Sequence, residues 1–385
     1  MPESIPPVDA EALARSRIVL DRLRVLAGDG GVLPFDRFME VALYGKDVGF
    51  YERTRTPLGR TGDFYTAAHT TPLFAQTLAQ RIRTIRRALG GSSVFWVVEL
   101  GPGDGTLAEG VLRSLKDDPP GLEYILVERS DARLRETRDR LRTSSGSISV
   151  RTAASVGSLG AFRGVAIGNE FLDAQPARRL RWHDGEWHEV GVRVRDDRVE
   201  STELPVERAV PGRALPTPAG EPLTVEISPA AEGTVREVAD HLVAGAAIFL
   251  DYGAEETELV RGHPDGTLAG VRDHRFLANP LDAPGTADLS TFVNFSRVRD
   301  VALASGLVPG PLRSQAETLG AWGYPALLDA AVRAAPTAES RVRVQMASKN
   351  LLFGFDRFRV LELAPPSSAA KLGAGPKEPS TDAGR

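Results

Sequence analysis

The sequence predicts an α/β fold: a mostly parallel sheet covered by helices, with a helical N-terminal part, inserted antiparallel strands and a disordered C-terminal tail. Three observations point there. Between residues 94 and 250 short apolar runs alternate with helical stretches, the pattern of a parallel sheet buried on both faces. A glycine-rich turn, Gly101-Pro102-Gly103-Asp104-Gly105, joins one of those runs to a helix. The 385 residues are 42% hydrophobic and 25% charged, ordinary globular usage that can bury a sizeable core.

The elements follow in chain order. Residues 11–26 place Leu13, Ile18, Val19 and Leu23 near helical spacing, and residues 34–44 repeat this with Phe35, Phe38, Met39 and Leu43. Periodicity then fails over residues 45–68, where glycines at 45, 49, 59 and 62 mark a long loop with a function of its own. Its segment Gly59-Arg60-Thr61-Gly62-Asp63-Phe64-Tyr65-Thr66 suits a lid over a bound ligand. Residues 72–89 read as a helix with the apolar stripe Phe74, Leu78, Ile82 and Ile85.

Strands are expected at 94–100, 124–127, 148–151, 165–167 and 246–250. Residues 178–210 alternate Trp182, Trp187, Val190, Val192 and Val194, with turn signals at Asp184-Gly185 and Asp196-Asp197. These are antiparallel strands inserted into the sheet region. Residues 255–294 read as loop-rich, and the runs 351–355 and 358–363 as a closing hairpin. Residues 365–385 hold few large apolar groups and read as a disordered tail.

Composition excludes several functions. With no cysteine, disulfides, thiolate metal sites and cysteine nucleophiles are impossible. The six histidines (69, 183, 188, 241, 263, 274) show no metal-ligand spacing along the chain, so no metal is expected. A net charge of −4 gives no pull toward nucleic acid or acidic membranes. No signal peptide or membrane-length apolar run is read, and a cytoplasmic location is expected.

The most informative segment is Val97-Val98-Glu99-Leu100-Gly101-Pro102-Gly103-Asp104-Gly105-Thr106. Glycines at 101, 103 and 105 let the chain turn sharply and let a ligand approach the backbone. The helix that follows offers unpaired N–H groups. Glu128 ends the next strand at a spacing that lets a carboxylate accept ribose hydroxyls. Nicotinamide and flavin nucleotides want Gly-x-Gly-x-x-Gly, and their pyrophosphate would be repelled by Glu99. S-adenosylmethionine (SAM) has no phosphate, and its ammonium and sulfonium would be favoured by a nearby carboxylate.

A second constellation is Gly168-Asn169-Glu170-Phe171-Leu172-Asp173-Ala174, just after the fourth strand. Ligands in open parallel sheets sit beyond the strands' carboxyl ends, so Asn169, Glu170 and Asp173 are candidate catalytic residues. Two carboxylates could hold a guanidinium by charge-assisted bonds. Asp173 could equally cap a following helix.

In this ordered set the chain resembles the MidA-like class I SAM-dependent methyltransferases, relatives of a mitochondrial complex I assembly factor that methylates an arginine. The resemblance runs from about Tyr44 to Leu363. It rests on Gly62-Asp63-Phe64, Glu99-Leu100-Gly101-Pro102-Gly103, Val127-Glu128-Arg129-Ser130, Asn169-Glu170-Phe171-Leu172-Asp173-Ala174, Asp251-Tyr252-Gly253 and Asp288-Leu289. Where many members have Pro-Glu, this chain has Ala68-His69; where they have Val-Asp-Phe, it has Val293-Asn294-Phe295.

The resemblance implies a Rossmann-like class I methyltransferase sheet ending in an antiparallel strand. It implies SAM contacts from Gly62, Asp63, Phe64, Glu99, Gly101, Gly103, Gly105, Glu128 and Asn169. Residues 1–91 would be a helical region with a lid loop, and 92–254 a SAM-binding core with a β insertion near 178–220. Residues 255–363 would form the substrate groove and closing strands, and 364–385 the tail. The expected partner is a protein or small-molecule methyl acceptor, with neither nucleic acid nor membrane; a homodimer is allowed.

Overall fold

The structure, a computed structural model, describes residues 10–52, 67–91, 94–218 and 222–373. Its centre is a sheet whose long strands run in the order Ser149–Ala153, Leu122–Val127, Phe95–Leu100, Phe162–Asn169, Leu242–Ala254 and Phe358–Ala364. The first five are mutually parallel; the last is antiparallel to its neighbour. From Phe95–Leu100 the chain winds outward through two strands, then returns to add Phe162–Asn169 on the other side. That reversal opens a crevice beyond the carboxyl ends of these two neighbours.

Both faces of the sheet are covered. On one, Phe74, Leu78, Ile82, Val111 and Leu112 from helices Pro72–Ala88 and Thr106–Leu115 pack on Val97, Tyr124 and Val165. On the other, Val235, Val238 and Val298 from helices Pro229–His241 and Phe295–Ala304 pack on Val98, Ile125 and Phe249. Each such buried side chain contributes about 1.5–3 kcal/mol, so the strand ends that carry the site rest on a rigid base.

The inserted strands Arg178–His183, Glu186–Arg195 and Arg198–Pro205 form a separate antiparallel sheet with Leu223–Ile227 and Val32–Pro34. The last two were not legible as strands. Leu20, Leu23, Phe38 and Leu43 from helices Ala10–Ala27 and Phe35–Tyr44 pack against this sheet at Val192 and Val194. A buried ion-pair network ties the two: Arg178 pairs with Glu189 at 2.9 Å, and Arg208 bridges Glu189 to Asp36. The helix carrying Tyr44 is thereby held over the crevice.

Three expectations need correction. Residues 351–353 close the helix Ala338–Phe353 rather than start a strand, and only Phe358–Ala364 joins the sheet. The reason is local: a Ser340 capping box starts a helix whose turns run unbroken through these residues. The expected loop region holds a small sheet, Ala269–Arg272 with Arg275–Phe276 and Asp288–Ser290. In the tail, Pro366–Leu372 is a helix. Its one large apolar residue, Leu372, packs on the core, and its small ones allow close approach: Ser368 is fully buried and its Oγ accepts the Gly245 N–H at 3.0 Å.

Candidate active site

The crevice is a cleft of about 260 Å³ walled by the glycine loop, the Asn169-Glu170 corner, Glu128 and two tyrosines of the N-terminal part. Glu99, Gly101, Gly103, Glu128, Asn169 and Glu170 all line it, so sequence-distant candidates meet in one place. Gly62, Asp63, Phe64 and the rest of the expected lid lie outside the described residues.

The glycine loop has left-handed backbone at each of its glycines, with φ of 61° at Gly101, 58° at Gly103 and 80° at Gly105. A Cβ at Gly101 would stand 2.7 Å from Cδ2 of Phe171, and one at Gly105 2.8 Å from Cγ2 of Thr137. Gly105 is therefore set by packing under the loop as well as by the turn; it caps helix Thr106–Leu115. Asp104 fixes the loop's tip. Its carboxylate accepts bonds from the Thr106 N–H (3.0 Å), the Thr106 hydroxyl (2.8 Å) and Arg140 (2.9 Å), and meets His69 Nε2 at 3.1 Å. Burial alone would raise its pKa, but the bonds from His69 and Thr106 prevail and hold it well below the usual carboxylate range.

Glu99 is only 3% exposed and accepts the Tyr124 hydroxyl at 2.5 Å. Burial pushes it up to about 7, against the pull of that bond. Glu128 is half-buried, and its Oε1 accepts the Ser130 N–H at 3.1 Å, which orients the carboxylate at the strand's end.

The Asn169-Glu170 corner is the unusual feature. Glu170 has φ of 52°, a left-handed conformation that costs a side-chain-bearing residue about 1–3 kcal/mol. One carboxylate oxygen accepts the Ala67 N–H at 3.0 Å and the Asn169 amide at 3.2 Å. The other, Oε2, is buried with no partner among the described residues, as is Oδ1 of Asn169. Burial pushes Glu170 up to about 8, with Asp173 and Asp288 adding to the rise against its two hydrogen bonds.

Asp173 takes a different place from the one expected. It is 4% exposed, does not line the cleft and caps no helix, since the next element is the strand Arg178–His183. Burial, and then the adjacent Asp251, push its carboxyl well above the usual carboxylate range. Asp251 in turn accepts the backbone N–H groups of Phe171 and Leu172 at 3.0 and 2.7 Å. The pair shapes the corner from beneath. Asp173, expected among the catalytic residues, thus lies beneath the cleft rather than on its wall.

Sequence reading did not single out Tyr44, Tyr51 or Arg133, which also line the cleft. The two tyrosine rings stack at 5.4 Å. The Tyr51 hydroxyl donates to Asp288 at 2.6 Å, and the Tyr44 hydroxyl to the Ala174 carbonyl at 2.9 Å. They reach the cleft through the pairing of an N-terminal helix with an inserted sheet, which no linear motif encodes.

A glycine cradle at the sheet's switch point, a carboxylate after the next strand and two acceptors left without donors among the described residues suit the site of an adenosyl-sulfonium-dependent transferase. Residues 77–310 match the family described as "Putative S-adenosyl-L-methionine-dependent methyltransferase", and the chain belongs to that family. A structure from Burkholderia thailandensis bound to S-adenosyl-homocysteine superposes with a TM-score of 0.83 at 30% identity, covering 94% of this chain and 95% of that one. The Drosophila melanogaster protein arginine methyltransferase NDUFAF7 homolog, mitochondrial, is 27% identical over 96% of this chain and 90% of its own. The Homo sapiens protein arginine methyltransferase NDUFAF7, mitochondrial, is 26% identical over 74% of this chain and 68% of its own. These relatives lend no support to a cytoplasmic location. The protein is a SAM-dependent methyltransferase with the Rossmann-like sheet expected of it. Among the described residues no helix is long and apolar enough to cross a membrane.

Glu128→Ala is expected to weaken SAM binding by about 1–3 kcal/mol, through loss of an acceptor for the ribose hydroxyls. Calorimetry checks it; an unchanged affinity would leave Glu128 only its bond to Ser130.

Proposed function

We propose that this enzyme transfers the methyl group of SAM to a guanidino nitrogen of an arginine in a protein. One observation carries the reading. Among the described residues the cleft floor presents two buried acceptors without donors, Asn169 Oδ1 and Glu170 Oε2. Such a floor calls for a cationic, donor-rich guest. The names of the arginine methyltransferase relatives agree with it.

SAM supplies a methyl activated by its sulfonium, delivered in line to a nucleophile. The glycine loop would cradle it, with Glu128 at its ribose and Asn169 at its amino-acid end. Glu170 would face the acceptor, its Oε1 pinned by Ala67 and Asn169 and its Oε2 free to accept a guanidinium N–H. Ionised Glu170 would orient that nitrogen and take up at Oε2 the proton it loses on methylation. Positioning and a favourable field do the work, without a covalent intermediate. Asp173 and Asp251 hold the corner in its strained shape, and the stacked tyrosines exclude water.

The pH dependence follows from Glu170. Burial pushes its carboxyl up to about 8, so the form that welcomes a cation grows as pH rises toward and past that value. kcat/KM for a cationic acceptor is expected to climb between about pH 6.5 and 8.5, and Glu170→Gln to flatten that climb. A flat wild-type profile would remove the charge on Glu170 from the mechanism.

A further inference from the structure

Away from the cleft, strand pairing assembles a group that chain spacing hides. His183 ends one inserted strand, His188 lies across the Asp184-Gly185 turn on the next, and Glu203 lies on the third. In the pairing Trp182 faces Trp187 and Val190 faces Glu203, so His183, His188 and Glu203 share one face of the sheet. One ligand atom from each lies within 4.8 Å of the others. We propose that these three side chains bind a divalent transition-metal ion of the zinc, nickel and copper class.

The chemistry of the donors sets that class. Two imidazoles and one carboxylate suit borderline metals and disfavour magnesium or calcium, which want oxygen. Three protein ligands leave a fourth position to water. A further residue completes the arrangement: His183 Nε2 meets Glu203 at 2.9 Å, while Nδ1 meets Asp184 at 2.9 Å. A carboxylate on the far ring nitrogen is how metal-bound histidines are commonly oriented, and here it leaves Nε2 directed at Glu203.

The two imidazole rings stack at 4.2 Å with a 14° tilt. To share an ion they must turn out of that stack, a rotation about soft side-chain torsions. The residues are half-exposed or exposed, so the motion has room. The ion would pin three strands of the inserted sheet at its hairpin end, on the face opposite Glu189, the residue that follows His188.

The test uses the full chain without a histidine tag. Zinc chloride titrated into it by calorimetry is expected to bind with one equivalent per chain, magnesium chloride not at all. Zinc should raise Tm. His188→Ala and Glu203→Gln should each weaken zinc at least about tenfold, and Asp184→Asn about 10- to 100-fold. SAM affinity should stay unchanged in all three, which separates this site from the acidic cleft. No zinc binding up to ~1 mM (about 4 kcal/mol) would overturn the proposal. So would zinc binding undiminished in a His183→Ala, His188→Ala double variant.

Discussion

Gly101→Val is expected to abolish detectable SAM binding while leaving the sheet folded. Two costs meet at this position. The backbone sits at φ of 61°, where a side-chain-bearing residue pays about 1–2 kcal/mol and a β-branched one more. A Cβ there also falls 2.7 Å from the Phe171 ring, so the loop or the Asn169-Glu170 corner must shift. Either shift spoils the cradle. A loss of at least about 100-fold in affinity (about 2.7 kcal/mol) is predicted by calorimetry, with the far-ultraviolet circular dichroism kept. Binding within about threefold of wild type would show that the ligand does not approach this loop.

Glu170→Gln should separate chemistry from stability in opposite directions. The substitution keeps size and shape but removes the charge that faces the acceptor, and single-turnover methyl transfer should slow by about 30- to 1000-fold (2–4 kcal/mol). SAM affinity should move far less. For stability, the folded carboxyl titrates near 8 while an unfolded glutamate titrates near 4.5. The folded state therefore binds more protons across that window, and its stability falls as pH rises from about 4.5 to 8. Glutamine removes this penalty. The variant should melt higher than wild type at pH 8.5 and close to it at pH 4.5. An equal slowing of chemistry and SAM binding would reassign Glu170 to the cofactor. A lower Tm at pH 8.5 would mean that the bonds from Ala67 and Asn169 stabilise the carboxylate by more than burial costs it.

Much of this was legible because it is local. The strand-glycine-helix unit is contiguous, and the turn demands glycine at 101, 103 and 105 whatever surrounds it. Buried parallel strands need continuous apolar runs, so the runs 94–100 and 246–250 marked Phe95–Leu100 and the middle of Leu242–Ala254. Asn169-Glu170 could be placed in the crevice by the rule for strand ends alone. What stayed hidden depends on pairing between distant segments. The strand Val32–Pro34 is three residues long and exists because Glu186–Arg195 offers it an edge. Asp173 looked catalytic in a motif; the fold turns it inward against Asp251, 78 residues away. His183 and His188 showed no metal spacing in one dimension and meet only across a hairpin. Tyr51 reaches the cleft by bonding Asp288, a contact across 237 residues.

The central claim, that the methyl group goes to a protein arginine, is tested most directly by following the label. The purified enzyme is incubated with methyl-labelled SAM and a heat-treated lysate, and the products are split into protein and small-molecule fractions. The account predicts label in discrete protein bands that yields methylarginine on acid hydrolysis, and its loss with Glu170→Gln. Label confined to small molecules, or recovered from protein on residues other than arginine, would contradict it.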